Sequence, residues 1–336
     1  MAFFGLFGNY DKPGPGVSKD EPKKAAPVRF FEILWRKLSK LIQLNLIYMI
    51  PFIVAVALMV GVFLLPLPHF AFNTVLLGPV DLYALYAVPL PLILMAPFSA
   101  GMAFVTRNFA REEHAFVWSD FWEAVGKNWK PSLLNGVIVY VAYVFLSFSI
   151  FFYSNQMSSN WLYIIPFAIC AILLLLMLFA QYYIPLMIVT MDLKLRHIYR
   201  NAFIFAILGL PRNILITLIL VAMVVGTLYC PGGFLAIPLI LLILIVFSFV
   251  SYLCSFAAYP MLDKYLIQPY YRKEAEAAEK KTVAAEGETF SFEADELDDE
   301  DEDAPKYVYV NGRLIERSAL KQEESVFSDE TKEHLN

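Results

Sequence analysis

From Leu41 to Thr106, from Pro131 to Leu193 and from Asn213 to Asp263 the chain contains no lysine and no arginine. These stretches are 66, 63 and 51 residues long, and leucine, isoleucine, valine, phenylalanine and alanine dominate them. A water-soluble domain carries about 25% charged residues, whereas a helix that crosses a bilayer needs about 20 consecutive apolar ones. Each stretch therefore has room for a pair of spans. The whole chain of 336 residues is 59% hydrophobic and 17% charged. That balance excludes a secreted disulfide scaffold and a nucleic-acid-binding domain. The expected fold is all-α: a polytopic membrane protein of about six transmembrane helices, linked by cytoplasmic amphipathic connectors.

The spans read as 41–65, 82–106, 132–153, 161–190, 213–230 and 234–260. Pro231, Gly232 and Gly233 separate the last two as a tight turn. With these limits every cation falls on one side. The N-terminal segment holds 8, the connection 107–131 holds 4, the connection 191–212 holds 4, and the C-terminal segment holds 10. The loops 66–81, 154–160 and 231–233 hold none. Lysine and arginine concentrate in cytoplasmic loops, so both termini are expected in the cytoplasm of a multi-pass cell-membrane protein. A three-fold recurrence underlies the pattern. Phe31–Asn45, Phe116–Lys130 and Tyr199–Asn213 are aromatic-rich amphipathic stretches that each end in basic or amide residues and lead into a span.

Three segments follow from composition. Residues 1–28, rich in glycine and proline, read as a flexible cytoplasmic arm, and 29–273 as the six-helix domain. The first long apolar run begins only near Leu41 and lacks a small-residue cleavage site, so it is expected to be an uncleaved span. Residues 274–336 read as an acidic cytoplasmic tail. Residues 1–273 contain 19 Lys+Arg against 11 Asp+Glu, while the tail contains 7 against 20. Eleven of those carboxylates lie between Glu286 and Asp303 without a single cation, a pattern expected to be disordered. At 306–316 two short strands about Asn311-Gly312 read as a hairpin. Two strands alone are marginal in water, so ordering it requires the membrane body or a partner.

The search for chemistry finds little. Glu112, Glu113, His114, Asp120 and Glu123 cluster after the second span, but their spacing matches no metal-ligand pattern. Asp120 and Glu123 read instead as a capping box, and Arg107 and Arg111 as partners of the local carboxylates. Cys170, Cys230 and Cys254 lie in or beside apolar runs and read as packing residues. No catalytic, cofactor-binding or metal-binding residues are assigned, and no cofactor is expected. Pro51, Pro89, Pro91, Pro97, Pro166, Pro185 and Pro238 interrupt spans. Broken helices can bind solutes at mid-depth, and Asn45, Asn73, Gln181 and Tyr182 are the candidate lining of such a cavity. Ala96, Ser99, Ala100 and Ala103 have the four-residue spacing of close helix contact.

Several stretches together resemble the YesL-like family of bacterial integral membrane proteins, a domain of unknown function. They are Gly5-Leu6-Phe7 with Asn9 to Gly16, Lys40 to Leu46 followed by Pro51, Ala96 to Ala103, and Glu112 to Phe121 followed by Asn128. The resemblance implies a helical protein of the bacterial cell membrane, found beside genes for sugar uptake and carbohydrate breakdown, with no catalytic residues to carry over. The expected role is non-enzymatic and accessory to carbohydrate uptake or its regulation. The expected partners are the lipid bilayer and a membrane transport or signalling protein, not nucleic acid. The alternative is a small-solute, sugar-like transporter that uses the proline-interrupted helices. The two separate on one observation, whether the spans enclose a polar cavity. Cysteines introduced one at a time at Asn155–Asn160 are expected to react with an impermeant thiol reagent only from outside the cell. Reaction only from the cytoplasmic face would invert the topology.

Overall fold

The structure, a computed structural model, describes residues 25–75, 78–229 and 236–272, together with the backbone of two short strands at 307–310 and 313–316. Most of the N-terminal arm, the Pro231-Gly232-Gly233 turn, Cys230 and the acidic run Glu286–Asp303 lie outside the described residues. Six helical segments are long and apolar enough to cross a membrane: Ala26–Phe63, Tyr83–Ala110, Val117–Gln156, Trp161–Thr190, Leu210–Leu228 and Ala236–Arg272. Large apolar side chains such as Phe145, Ile172, Leu218 and Leu239 stand outward and exposed. So much exposed apolar surface fits hydrocarbon rather than water.

The three-fold recurrence takes physical form in how these segments pair. Each unit has an outgoing helix of regular geometry and a returning one that is broken. Helix α1 (Ala26–Phe63) begins on Pro27, whose fixed φ suits a first helical turn. Its 38 residues span about 57 Å at 1.5 Å per residue, far more than a hydrocarbon core of about 30 Å. The amphipathic connector is therefore the first half of the same rod. The same holds for α3 (Val117–Gln156). Only the third connector is a separate helix, α6 (Leu195–Leu208), cut from α7 (Leu210–Leu228) at Gly209 with Pro211 following. The expectation of distinct connectors is corrected in two of three cases: α1 is continuous across the boundary, and α3 runs on through Pro131.

The returning segments are irregular. The second span starts with a π turn at Tyr83–Ala87 and a 3₁₀ stretch at Leu90–Met95, then becomes α2 (Ala96–Ala110). The fourth is α4 (Ile164–Gln181), a break at Tyr182 and Tyr183, and α5 (Ile184–Thr190). The sixth comprises α8 (Ala236–Leu241), a π turn at Leu242–Val246, α9 (Phe247–Leu262) and a further π turn at Asp263–Ile267. Helix α2 sits at the centre, against α3, α5, α9 and α1.

Lipid offers no hydrophobic drive for helix association, so small residues and buried hydrogen bonds must supply it. Thr106 Oγ1 on α2 lies 2.9 Å from both Ser251 Oγ and Ser255 Oγ on α9. Ala100 and Ala103 are buried with Val189 of α5, as their spacing predicted. A Cβ on Gly101 would stand 2.6 Å from Val125 Cγ2 and 2.8 Å from the Phe121 carbonyl oxygen. On Gly136 it would stand 2.8 Å from Ala96 Cβ. Two glycines thus let α3 close on the second span.

The cation-free end carries a feature that the sequence did not announce. Strands β1 (Ala71–Thr74) and β2 (Gly78–Asp81) pair antiparallel, with Gly78 at φ 73°. Asn155 at the end of α3 staples this hairpin by accepting the Val75 N–H at 2.8 Å and donating to the Asn73 carbonyl at 2.5 Å. Asp81 accepts the Tyr83 N–H and lies 2.5 Å from His69 Nδ1, a hydrogen bond that lowers its carboxyl pKa. Near the C-terminus, β3 (Tyr307–Val310) and β4 (Arg313–Glu316) pair antiparallel across a two-residue connection, and β4 lies against α5. The fold is all-α apart from these hairpins.

Overpacking a tight contact costs about 1–3 kcal/mol. Gly101→Ala is accordingly expected to lower the melting temperature in detergent, because its closest neighbours include rigid backbone. Gly61→Ala, with open space around it, is expected to leave the melting temperature unchanged or raised.

Candidate functional site

Proline dictates where the site lies. Pro89 has no N–H, so the carbonyl of Leu85, four residues earlier, loses its helical partner. In hydrocarbon such a group must find another. Tyr143 Oη on α3 donates to the Leu85 oxygen at 3.2 Å, and Tyr140 Oη donates to the Tyr86 oxygen. In the fourth span Pro185 restarts the helix at α5, and the chain tightens through Tyr182 N–H to the Phe179 oxygen and Tyr183 N–H to the Ala180 oxygen. Both breaks and the middle of α3 border the same space.

Between them lies a cavity of about 590 Å³. Its walls are the 3₁₀ stretch and first turn of α2, the middle of α3 from Ser132 to Tyr143, and Gln181, Pro185 and Ile188 of the broken fourth span. A second cavity, about 360 Å³, lies between α2, the same break and α9, lined by Tyr48, Tyr182, Val250 and Ser251 among others. Ser99, Gln181 and Pro185 line both. No Asp, Glu, Lys or Arg lines either one.

A short polar relay enters the larger cavity. Tyr199 Oη of α6 donates to Asn135 Oδ1 at 2.6 Å, and Asn135 Nδ2 donates to Gln181 Oε1 at 3.1 Å. Gln181 Nε2 is buried at the end of this chain of donors, where the Tyr199 hydroxyl also interacts with the Gln181 side chain. Ser132 Oγ on the same side is buried with no hydrogen-bond partner among the described residues. Burial pushes the Tyr199 hydroxyl up to about 12, so it stays protonated and keeps donating at physiological pH. The arrangement places the Gln181 carboxamide and the Ser132 hydroxyl in the wall of a largely apolar cavity.

Of the four candidate lining residues, Gln181 lines both cavities and Tyr182 the smaller one, its hydroxyl 2.8 Å from Thr217 Oγ1. Asn45 and Asn73 line neither. Asn45 is fully buried and repairs the π turn of the sixth span, donating to the oxygens of Leu242 and Ile243 at 2.9 and 2.7 Å and accepting the Ser248 N–H at 3.0 Å. Asn73 belongs to the exposed strand β1. Sequence reasoning missed Asn135, Ser132 and Tyr199. Asn135 and Ser132 lie on the face of α3 that also carries Gly136, which was the available signal.

The charged cluster after α2 does not form a site. Glu112 meets Arg29 and Arg36 of α1 at 3.5 and 2.8 Å, Glu113 meets Arg111 at 2.6 Å, and Glu123 meets Lys127 at 2.8 Å. Asp120 accepts the Phe116 N–H, because α3 starts at Val117 rather than beside Asp120 as the capping-box reading placed it. Glu112 has φ 63° and ends α2 with its own N–H on the Phe109 oxygen and the Glu113 N–H on the Asn108 oxygen. That is the double bond of a Schellman ending. Arg107, 1% exposed, reaches the Val189 oxygen at the end of α5 and lies over the Phe104 ring.

Residues 72–150 match the model of a family described as a protein of unknown function, DUF624, and the YesL-like family belongs to DUF624. The matched stretch runs from the β1–β2 hairpin into α3 and so contains two of the three walls of the larger cavity. No curated protein and no solved structure matches the chain.

A buried hydroxyl without a partner forfeits about 1–3 kcal/mol of desolvation. Ser132→Ala is therefore expected to hold or raise the melting temperature. Tyr199→Phe, which cuts a made hydrogen bond, is expected to lower stability by about 0.6 kcal/mol, the average for such bonds within a membrane.

Proposed function

We propose that this multi-pass protein binds a small uncharged molecule, mostly apolar but bearing a hydrogen-bond acceptor, in the cavity beside Gln181. The observation that carries this reading is the Gln181 carboxamide, tied to Asn135 and Tyr199, in the wall of a largely apolar cavity free of charged side chains. A few polar groups in a mostly apolar wall fix the orientation of a small molecule, and a ligand carbonyl or ether oxygen suits a carboxamide or hydroxyl donor there. The cavity volume lies within the usual range for small-molecule sites, about 300–1,000 Å³.

In this reading the protein is non-enzymatic and accessory to a membrane transport or signalling process, with its cation-rich end in the cytoplasm. A link to carbohydrate uptake rests on the resemblance alone. An unmodified sugar carries several hydroxyls and needs several polar partners, whereas this chamber offers few. The sugar-like transporter is thus the weaker alternative.

Purified protein melted in detergent with ethyl butyrate, glucose, maltose and glycerol separates the readings. The ester is expected to raise the melting temperature of the wild type, and Gln181→Leu is expected to abolish the shift. The response should be flat from pH 5 to 9, since Tyr199 is neutral throughout. Glucose crossing proteoliposomes faster than empty vesicles would overturn the reading in favour of transport.

A further inference from the structure

The third cation-free stretch is bounded in sequence by Arg212 and Lys264. In the fold these two ends come together on one hollow of about 250 Å³, between the α6–α7 junction and the last turn of α9. Gly209 and Met261 contribute to its wall, and Tyr265 and Pro211 to its rim. At Gly209 a Cβ would stand 2.4 Å from Tyr183 Oη and 2.9 Å from Met261 Sδ, so only glycine allows the α6–α7 corner to close here.

The charge around the hollow is one-sided. No carboxylate lines it. Among the described residues neither Arg212 nor Lys264 has an ion-pair partner. Asp263, adjacent to Lys264, is engaged with Gln268 Nε2 at 2.7 Å. Lys264 Nζ lies 5.2 Å from the centroid of the Tyr265 ring, a contact that orients a cation without neutralising it. Two like charges on one small hollow repel, and an anion placed between them reverses the sign of that interaction.

Depth narrows the ligand. Arg212 and Lys264 each stand where a cation-free apolar segment ends, which is the level of lipid headgroups. Basic pockets between spans at that level suit phosphate-bearing headgroups. We propose that this hollow is a phosphate-binding site at the membrane boundary, in which the Arg212 guanidinium and the Lys264 ammonium share the phosphate oxygens. A planar guanidinium and a compact ammonium are complementary here, the first fixing orientation and the second adding charge. The same chemistry serves a lipid headgroup or a soluble phosphate ester.

Full-length protein in mild detergent distinguishes them by the melting-temperature shift with phosphatidylglycerol, phosphatidylcholine, glycerol 3-phosphate and inorganic phosphate. Half-saturation is expected at about tenfold lower phosphatidylglycerol than phosphatidylcholine. The preference should be lost in R212Q/K264Q and retained in K127Q, whose lysine pairs with Glu123 instead. A shift with glycerol 3-phosphate or inorganic phosphate that R212Q/K264Q removes would identify a soluble ester as the source. If the double variant does not fold, R212Q and K264Q singly should each weaken the preference about threefold. Wild-type preference in either test, or no phosphate-dependent shift at all, would overturn the site.

Discussion

Every returning span in this protein is broken, and a broken helix in hydrocarbon leaves carbonyls that water cannot reach. An unsatisfied backbone group there costs several kcal/mol, so each break requires a side chain from elsewhere. Tyr140 and Tyr143 of α3 serve the second span, and Asn45 of α1 serves the sixth. Asn213 Nδ2 reaches the Ala206 oxygen at the end of α6 and accepts from Tyr183 of the fourth span at 2.8 Å. These repairs tie the three units together. The regular outgoing helices supply the repairing groups, and the irregular ones occupy the middle.

The same constraint accounts for the cavity. A helix that changes from 3₁₀ to α, or stops and restarts at Pro185, cannot interdigitate with its neighbour along its whole length. The space left over is bounded by the polar groups that the breaks bring in. Gln181 sits at such a break, which places one carboxamide against two cavities at once.

Much of this was legible from the order of residues. Long cation-free stretches gave the number of spans, because the energy of a charge in hydrocarbon is a local property of sequence; the helices themselves run beyond those stretches at 26–40, 117–131 and 264–272. The small residues Ala100 and Ala103 announced close packing for a similar reason. The polar residues were only half readable. Gln181 and Asn45 look alike in sequence, each an amide within an apolar run, yet one faces a chamber and the other three backbone groups of a helix about 200 residues away. Their difference depends on where the π turn at Leu242–Val246 falls, and no periodicity near Asn45 encodes that. The β1–β2 hairpin was missed because strands of four residues are too short to show alternation.

The partners of Asn45 have a consequence for synthesis. All three of its hydrogen bonds come from residues 242–248, near the end of the membrane domain. A ribosome that has delivered the first five spans has therefore produced a chain whose first helix still carries an unpaired carboxamide. The last span to arrive is the one that withdraws it. In this molecule the sealing of the first helix waits for the sixth span.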